Sequence, residues 1–172
     1  MSEPRSHPYS ALTPEVVLDA CTAAGLRPDG RLLGLNSYEN RVYQVYLEEG
    51  GAVVVKFYRP NRWSREQIDE EHAFARELAG REIPVVAPES CAEFREFVFA
   101  VYPRRGGRTP NLEDPKALEW IGRFLGRIHA VGSVSGSPIV RLWMRNPSGG
   151  DRRSGWSITR VSRRISTPHG RR

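Results

Sequence analysis

The stretch Ala52-Val-Val-Val-Lys-Phe-Tyr58, with Ser64-Arg-Glu-Gln-Ile-Asp-Glu-Glu71 soon after it, decides how this chain folds. Successive side chains of a strand point to opposite faces. Val53, Val55 and Phe57 therefore share one side, and Val54, Lys56 and Tyr58 share the other. Lys56 then stands among apolar neighbours. It is either a lysine that guards an edge strand against pairing or a point charge placed to meet phosphate. The second stretch starts a helix. Ser64 and Gln67 fit a capping box, in which each side chain satisfies the other residue's exposed backbone donor. On that helix Ile68, Glu71, Ala75 and Leu78 fall on one face, while Glu66 and Glu77 can be solvated. A carboxylate on an apolar face needs a cation, which Lys56 can supply, unless Glu71 is a partly exposed glutamate at the edge of the stripe; a one-residue change of helix phase would substitute Glu70 for Glu71.

Working outward, Thr13 before Pro14 and Glu15 predicts a helix N-cap with proline in the first turn. The helix covers about residues 14 to 24, with Val17, Ala20, Cys21 and Ala24 on one face. Arg31 to Leu35, Arg41 to Leu47 and Ala52 to Tyr58 read as three strands of an antiparallel meander. Ile83 to Pro88 and Phe94 to Tyr102 read as two more, rich in β-branched and aromatic residues. Asp114 and Pro115 open a last helix to about Ala130, with Leu118, Ile121, Leu125 and Ile128 in a stripe and Gly122 and Gly126 spaced for close packing. Pattern stops at Gly132, and no internal repeat occurs. The expectation is an α+β fold: a five-stranded antiparallel sheet with one main helix, preceded by an N-terminal helix.

The sequence has 172 residues and a formal charge of +6, which by itself raises nucleic acid as a partner. Its distribution argues against that. Nine of the 26 basic residues and only one of the 20 acidic ones lie in 131–172, so the first 130 residues carry −2. The excess sits in an Arg, Ser, Gly and Pro-rich tail of a composition that predicts disorder. If the tail does bind nucleic acid, Trp143, Trp156 and their neighbouring arginines would carry the contact. The longest apolar runs are about six residues against the roughly 20 that span a bilayer, and the N-terminus does not resemble a secretory signal. A cytoplasmic protein without membrane contact is expected. Cys21 and Cys91 lie far apart with no metal-ligand spacing and read as reduced core residues.

Between the first two strands lies Asn36-Ser-Tyr-Glu-Asn40, where small polar residues can bring backbone N–H groups and the Ser37 hydroxyl near phosphate oxygens. Taken alone it is also an ordinary hairpin turn. Further motifs accompany it: Asn36-Ser-Tyr-Glu-Asn-Arg-Val-Tyr-Gln44, Val54-Val-Lys-Phe-Tyr-Arg-Pro60, Arg62-Trp63, Glu70-Glu-His-x-Phe74, Pro84-Val85, Phe99-Ala-Val101, Gly106-Gly-Arg108 and Gly122-Arg-x-Leu-Gly-Arg-x-His129. Together, over about residues 7 to 132, they resemble the stress response kinase A family. Those are bacterial Ser/Thr protein kinases with the aminoglycoside phosphotransferase and choline kinase type of fold.

The resemblance implies a kinase-like small lobe in residues 1–103 and a hinge exit and first large-lobe helix in 104–132; beyond it, the composition of 133–172 predicts a disordered or frameshifted tail. It implies ATP and Mg²⁺ as cofactors, a protein Ser/Thr substrate, a monomer and a role in stress survival. By position, Ser37 resembles the ATP-contacting residue of the turn, Lys56 the phosphate-binding lysine and Glu71 its partner. Ala100 to Pro103, with Ala100 and Tyr102, resembles the hinge that holds adenine.

Catalysis in that family needs a loop of the form H-x-D-x-x-x-x-N and a metal-binding Asp-x-Asp. His7, His72, His129 and His169 are followed two residues later by Tyr9, Phe74, Val131 and Arg171, and none of the five aspartates forms an Asp-x-Asp pair. No catalytic or metal-binding residue is therefore assigned, and the expectation is an ATP-binding half without its catalytic half; the alternative is a noncatalytic nucleotide- or protein-binding module with a basic tail. The stripe on the last helix and the face around Phe99 and Val101 are expected to lie exposed for want of large-lobe helices.

Overall fold

The computed structural model describes residues 8–134. Three helices and five strands follow in the order α1 (Pro14–Ala23), β1 (Pro28–Leu35), β2 (Arg41–Leu47), β3 (Ala52–Phe57), α2 (Arg65–Gly80), β4 (Ser90–Phe94), β5 (Phe97–Pro103) and α3 (Pro115–Val134). The strands form one antiparallel sheet in the order β1-β2-β3-β5-β4. Among the described residues, no helix is long and apolar enough to cross a membrane. The tail expected from residue 133 lies outside the described residues except for Ser133 and Val134, which continue α3.

The β3 alternation divides the sheet as the sequence predicts. Val53, Val55 and Phe57 are buried with Val45, Phe97, Phe99 and Val101, and α1 covers them with Val16, Val17, Ala20 and Cys21. Phe57 is the centre of this layer. Its ring stacks on Phe99 at 5.2 Å and meets Phe97 and Tyr43 edge-on at 6.2 and 6.1 Å, arrangements that suit the aromatic quadrupole. The expectation that Phe99 and Val101 lie exposed is thus corrected: α1, from the chain's own N-terminal side, covers them. Cys21 is a free thiol in this core, and burial pushes its pKa up to about 11.

The other face takes α2. Its capping box is present as read, with Ser64 Oγ accepting from the Gln67 N–H at 3.3 Å and Gln67 Oε1 accepting from the Ser64 N–H at 2.9 Å. Ile68 packs on Tyr58 and Ala100, with Trp63, Cys91, Val98 and Tyr102 around them.

Two expectations are corrected here. Ile83 to Pro88 is irregular rather than a strand, and the fourth strand is Ser90–Phe94. Pro84 and Pro88 have no N–H to give a ladder, and Ile83 is drawn instead into a cluster with Leu78 and Val131. The stripe of α3 is also rotated. Phe124, Ile128 and Val131 face that cluster, while Leu118 and Leu125 lie exposed as expected, together with Trp120. A Cβ placed on Gly122 or Gly126 would meet nothing within 4 Å, so no close helix packing uses them among the described residues.

Candidate functional site

Sheet register assembles the site. Leu35 pairs with Val42, Val42 with Lys56, Lys56 with Ala100 and Ala100 with Cys91, a single row across all five strands. Paired residues of antiparallel strands share a face, and this row faces α2. Two rows of chemistry then meet: the lysine of β3 and the glutamate of α2. Lys56 Nζ lies 2.7 Å from Glu71 Oε1. Glu71, rather than Glu70, is therefore the partner.

The ammonium has a second support. It stands 4.3 Å from the centroid of the Tyr58 ring, where the π face attracts a cation. The Lys56 side chain is 17% exposed and that of Glu71 39%. The cation is thus held from the helix side and from the ring, with part of its surface left open to an incoming anion. A short, charge-assisted bond of this kind is stronger than a neutral one and fixes the direction of an otherwise flexible four-carbon stem.

Behind the pair lies a polar cluster that the sequence reading did not assemble. The Tyr58 hydroxyl is 3.4 Å from Glu71 Oε2 and 2.7 Å from His72 Nε2. His72 is fully buried between Tyr58 and Tyr102, with ring centroids 5.9 and 6.4 Å away. Burial pushes the His72 pKa down, which keeps the ring neutral. Burial, reinforced by the Glu71 charge, pushes the Tyr58 phenol up, and burial raises that of Tyr102 to about 12. Both phenols stay protonated at neutral pH and can serve as donors. Two signals for this cluster were in the sequence: Tyr58 alternates onto the face of Lys56, and His72 follows Ile68 by four residues, one turn along α2.

The structure places Ser37 in the turn after Leu35, half-buried beside a fully exposed Tyr38. The turn is anchored one residue further on. Glu39 pairs with Arg62 at 2.6 Å, its carbonyl accepts from the Tyr9 hydroxyl at 2.9 Å, and Asn40 Oδ1 accepts from the Arg59 N–H at 3.3 Å. Ala100 lies inside β5, between Lys56 and Cys91. Tyr102 pairs with Val54 and extends past the β4 ladder, which begins at the pair Ser90 and Val101.

The stress response kinases A of Shigella flexneri and of Escherichia coli strain K12 are 45% and 44% identical to the chain over 129 residues, which is 72% of this chain and 39% of each relative. A protein of Salmonella typhimurium described as serine/threonine protein kinase RdoA is 43% identical over the same length. The chain thus spans well under half of the curated relatives it matches. Among solved structures, amicoumacin kinase in complex with AMP-PNP, Ca²⁺ and its ligand superposes with a TM-score of 0.61 at 22% identity, over 72% of this chain and 41% of that one. The shared architecture is that of a kinase-like small lobe. The family model described as "Phosphotransferase enzyme family" matches residues 31–155, a span reaching beyond Gly132, and the chain belongs to that family.

Proposed function

We propose that this chain is the ATP-binding part of a Ser/Thr protein kinase of bacterial stress response, and that it binds nucleotide without itself transferring the phosphoryl group. The observation that carries the reading is the Lys56–Glu71 pair, an oriented and partly open ammonium on the sheet face where the Ser37 turn ends. Lys56 would meet the α- and β-phosphates, Ser37 and its backbone neighbours the phosphate oxygens, and the last residues of β5, from Ala100 through Tyr102, the adenine. The names of the relatives support kinase activity in the longer proteins, and the nucleotide analogue bound by the structural neighbour supports ATP as ligand. A protein hydroxyl substrate, a monomeric state and a cytoplasmic location come with the same reading.

Mg²⁺, which the family implies, finds no cluster of three or more oxygen ligands among the described residues. Mg²⁺ takes carboxylate and water oxygens in near-octahedral geometry. Among the described residues, the only cluster of three ligand-type side chains is Asp69, His72 and Cys91, with nitrogen and sulfur donors. No step is therefore derived through magnesium.

The test is ATP-dependent thermal stabilisation of the 172-residue chain. At ten times its Kd, ATP should stabilise by about 1.4 kcal/mol, a rise of a few degrees in melting temperature. Lys56→Ala should remove the rise while the protein still melts cooperatively. An unshifted wild type at millimolar ATP would sink the reading.

A further inference from the structure

We infer that Asp69, His72 and Cys91 form a binding site for a borderline-soft divalent cation, with Zn²⁺ the best match in chemistry. One ligand atom from each residue lies within 4.8 Å of the other two. Asp69 and His72 are three residues apart on α2 and so share a face, and Cys91 is brought beneath them by the row that also carries Ala100 and Lys56. Imidazole, thiolate and carboxylate are the three donor types that zinc accepts from proteins. Around a tetrahedral zinc, donor atoms stand about 3.2–3.6 Å apart. Binding therefore requires the side chains to close by about 1 Å or more.

A second observation concerns the same histidine, whose Nε2 lies 2.7 Å from the Tyr58 hydroxyl and so leaves Nδ1 as the nitrogen for a cation. His72 is fully buried, and its Nδ1 has no hydrogen-bond partner. Such a buried polar atom is costly and calls for an explanation. One of the two His72 tautomers leaves Nδ1 able to ligate a cation. The Tyr58 hydroxyl has one proton and lies near both Glu71 Oε2 and His72 Nε2. If Nε2 carries the imidazole proton and donates it to the Tyr58 oxygen, the phenol proton remains for Glu71. Nδ1 then holds a lone pair, as a metal ligand must. A histidine that binds metal with one nitrogen and donates from the other is the common arrangement of such sites.

Binding forms a metal–sulfur bond and breaks the Cys91 S–H bond, and the proton leaves to solvent. Thiolate and carboxylate together neutralise the cation, and water fills the fourth position. Arg65 is the competitor. Its Nε contacts both Asp69 oxygens, at 3.0 and 3.1 Å, and its Nη1 contacts Glu93 at 3.1 Å. On metal binding Arg65 can keep Glu93 while Asp69 turns to the cation. The site does not include Lys56, although Tyr58, Glu71 and Tyr102 adjoin both; its test reads cobalt rather than ATP, so a failure of ATP binding leaves it standing.

Co²⁺ titration of the full chain tests the proposal. One equivalent should bring in a thiolate-to-cobalt charge-transfer band in the near ultraviolet, and Zn²⁺ should displace it. Cys91→Ser should abolish the band, and Cys21→Ser should leave it intact. Asp69→Asn and Tyr58→Phe, at a ligand and at the group orienting His72, should each weaken Co²⁺ binding about 10–100-fold. Cys91 is only half-buried and Asp69 is exposed, so these variants bear on the proposal even if His72→Asn does not fold. Absence of the band in the wild type, or its survival in Cys91→Ser, overturns the assignment.

Discussion

The two faces of β3 are built from alternating residues of the same six-residue strand, yet they do opposite work. On the α1 side Val53, Val55 and Phe57 meet only apolar and aromatic groups, and the layer is closed to water. On the α2 side Lys56 is tied to Glu71, and Tyr58 to Glu71 and His72. Stability and chemistry are thus divided by the two-residue period of a strand. Charges can be held on one face because the other supplies the burial. The largest expected effect follows from the closed face. Phe57→Ala should cost about 3–5 kcal/mol of unfolding free energy, much of what a domain of this size has. Urea denaturation measures it. A loss below about 1 kcal/mol would show that the faces are not divided in this way. Lys56→Ala, on the open face, should change stability by less than about 1 kcal/mol, because Glu71 can be rehydrated, while it removes the response to ATP.

The open face should also set how stability depends on pH. Burial holds the His72 pKa below its ordinary 6.5, with the Lys56 and Arg76 charges acting in the same direction and Glu71 and Asp69 opposing. Near neutral pH both folded and unfolded chains carry a neutral imidazole, and His72 contributes no slope. As pH falls below about 6.5, the unfolded chain takes up the proton first, so stability declines with falling pH. The decline continues until the folded pKa is reached, at no more than about 1.4 kcal/mol per pH unit from this one group. Urea midpoints at pH 7.5 and 5.5 should therefore differ, and His72→Gln should reduce the difference. An unchanged slope in the variant would mean that the buried ring does not govern acid sensitivity in this range.

Much of this was legible because it rests on short-range rules. The β3 alternation, the Ser64 cap and the helical spacing of Glu71 each follow from local geometry, and together they place the ion pair. The fourth strand was not legible for two local reasons. Val85 and Val86 have strand-forming side chains, yet Pro84 and Pro88 flank them and cannot donate to a ladder. The true β4–β5 turn is Arg95-Glu96, with Arg95 in the left-handed region at φ 55°. It lacks the Asn or Gly that usually marks such turns. The rotated face of α3 and the cover that α1 gives Phe99 are tertiary choices. Several apolar residues compete for burial there, and periodicity alone cannot say which ones win. The His72 cluster falls between these cases. Each residue's face could be read, but the convergence of Tyr58, Tyr102 and Cys91 on one ring needed the sheet register.

The smallest expected effect concerns the element that joins the two faces to function. Ser64→Ala removes the side-chain acceptor at the start of α2, and a cap of this kind is worth about 1 kcal/mol. Both residues of the box are exposed, so water can replace part of what is lost. The reduction in melting temperature should be only a few degrees. Its consequence for the site should be smaller still. Glu71 lies nearly two turns beyond the cap, and between them Ile68 is buried on Tyr58 and Ala100. Fraying of the first turn should therefore stop at Ile68 and leave the Lys56 pair intact. A Ser64→Ala chain that melts slightly earlier yet keeps the full ATP-dependent rise would show that packing on the sheet, and not the cap, positions the carboxylate. If the rise falls along with the melting temperature, the position of Glu71 depends on the whole helix being formed, and the open face is less independent of its frame than the burial pattern of β3 implies.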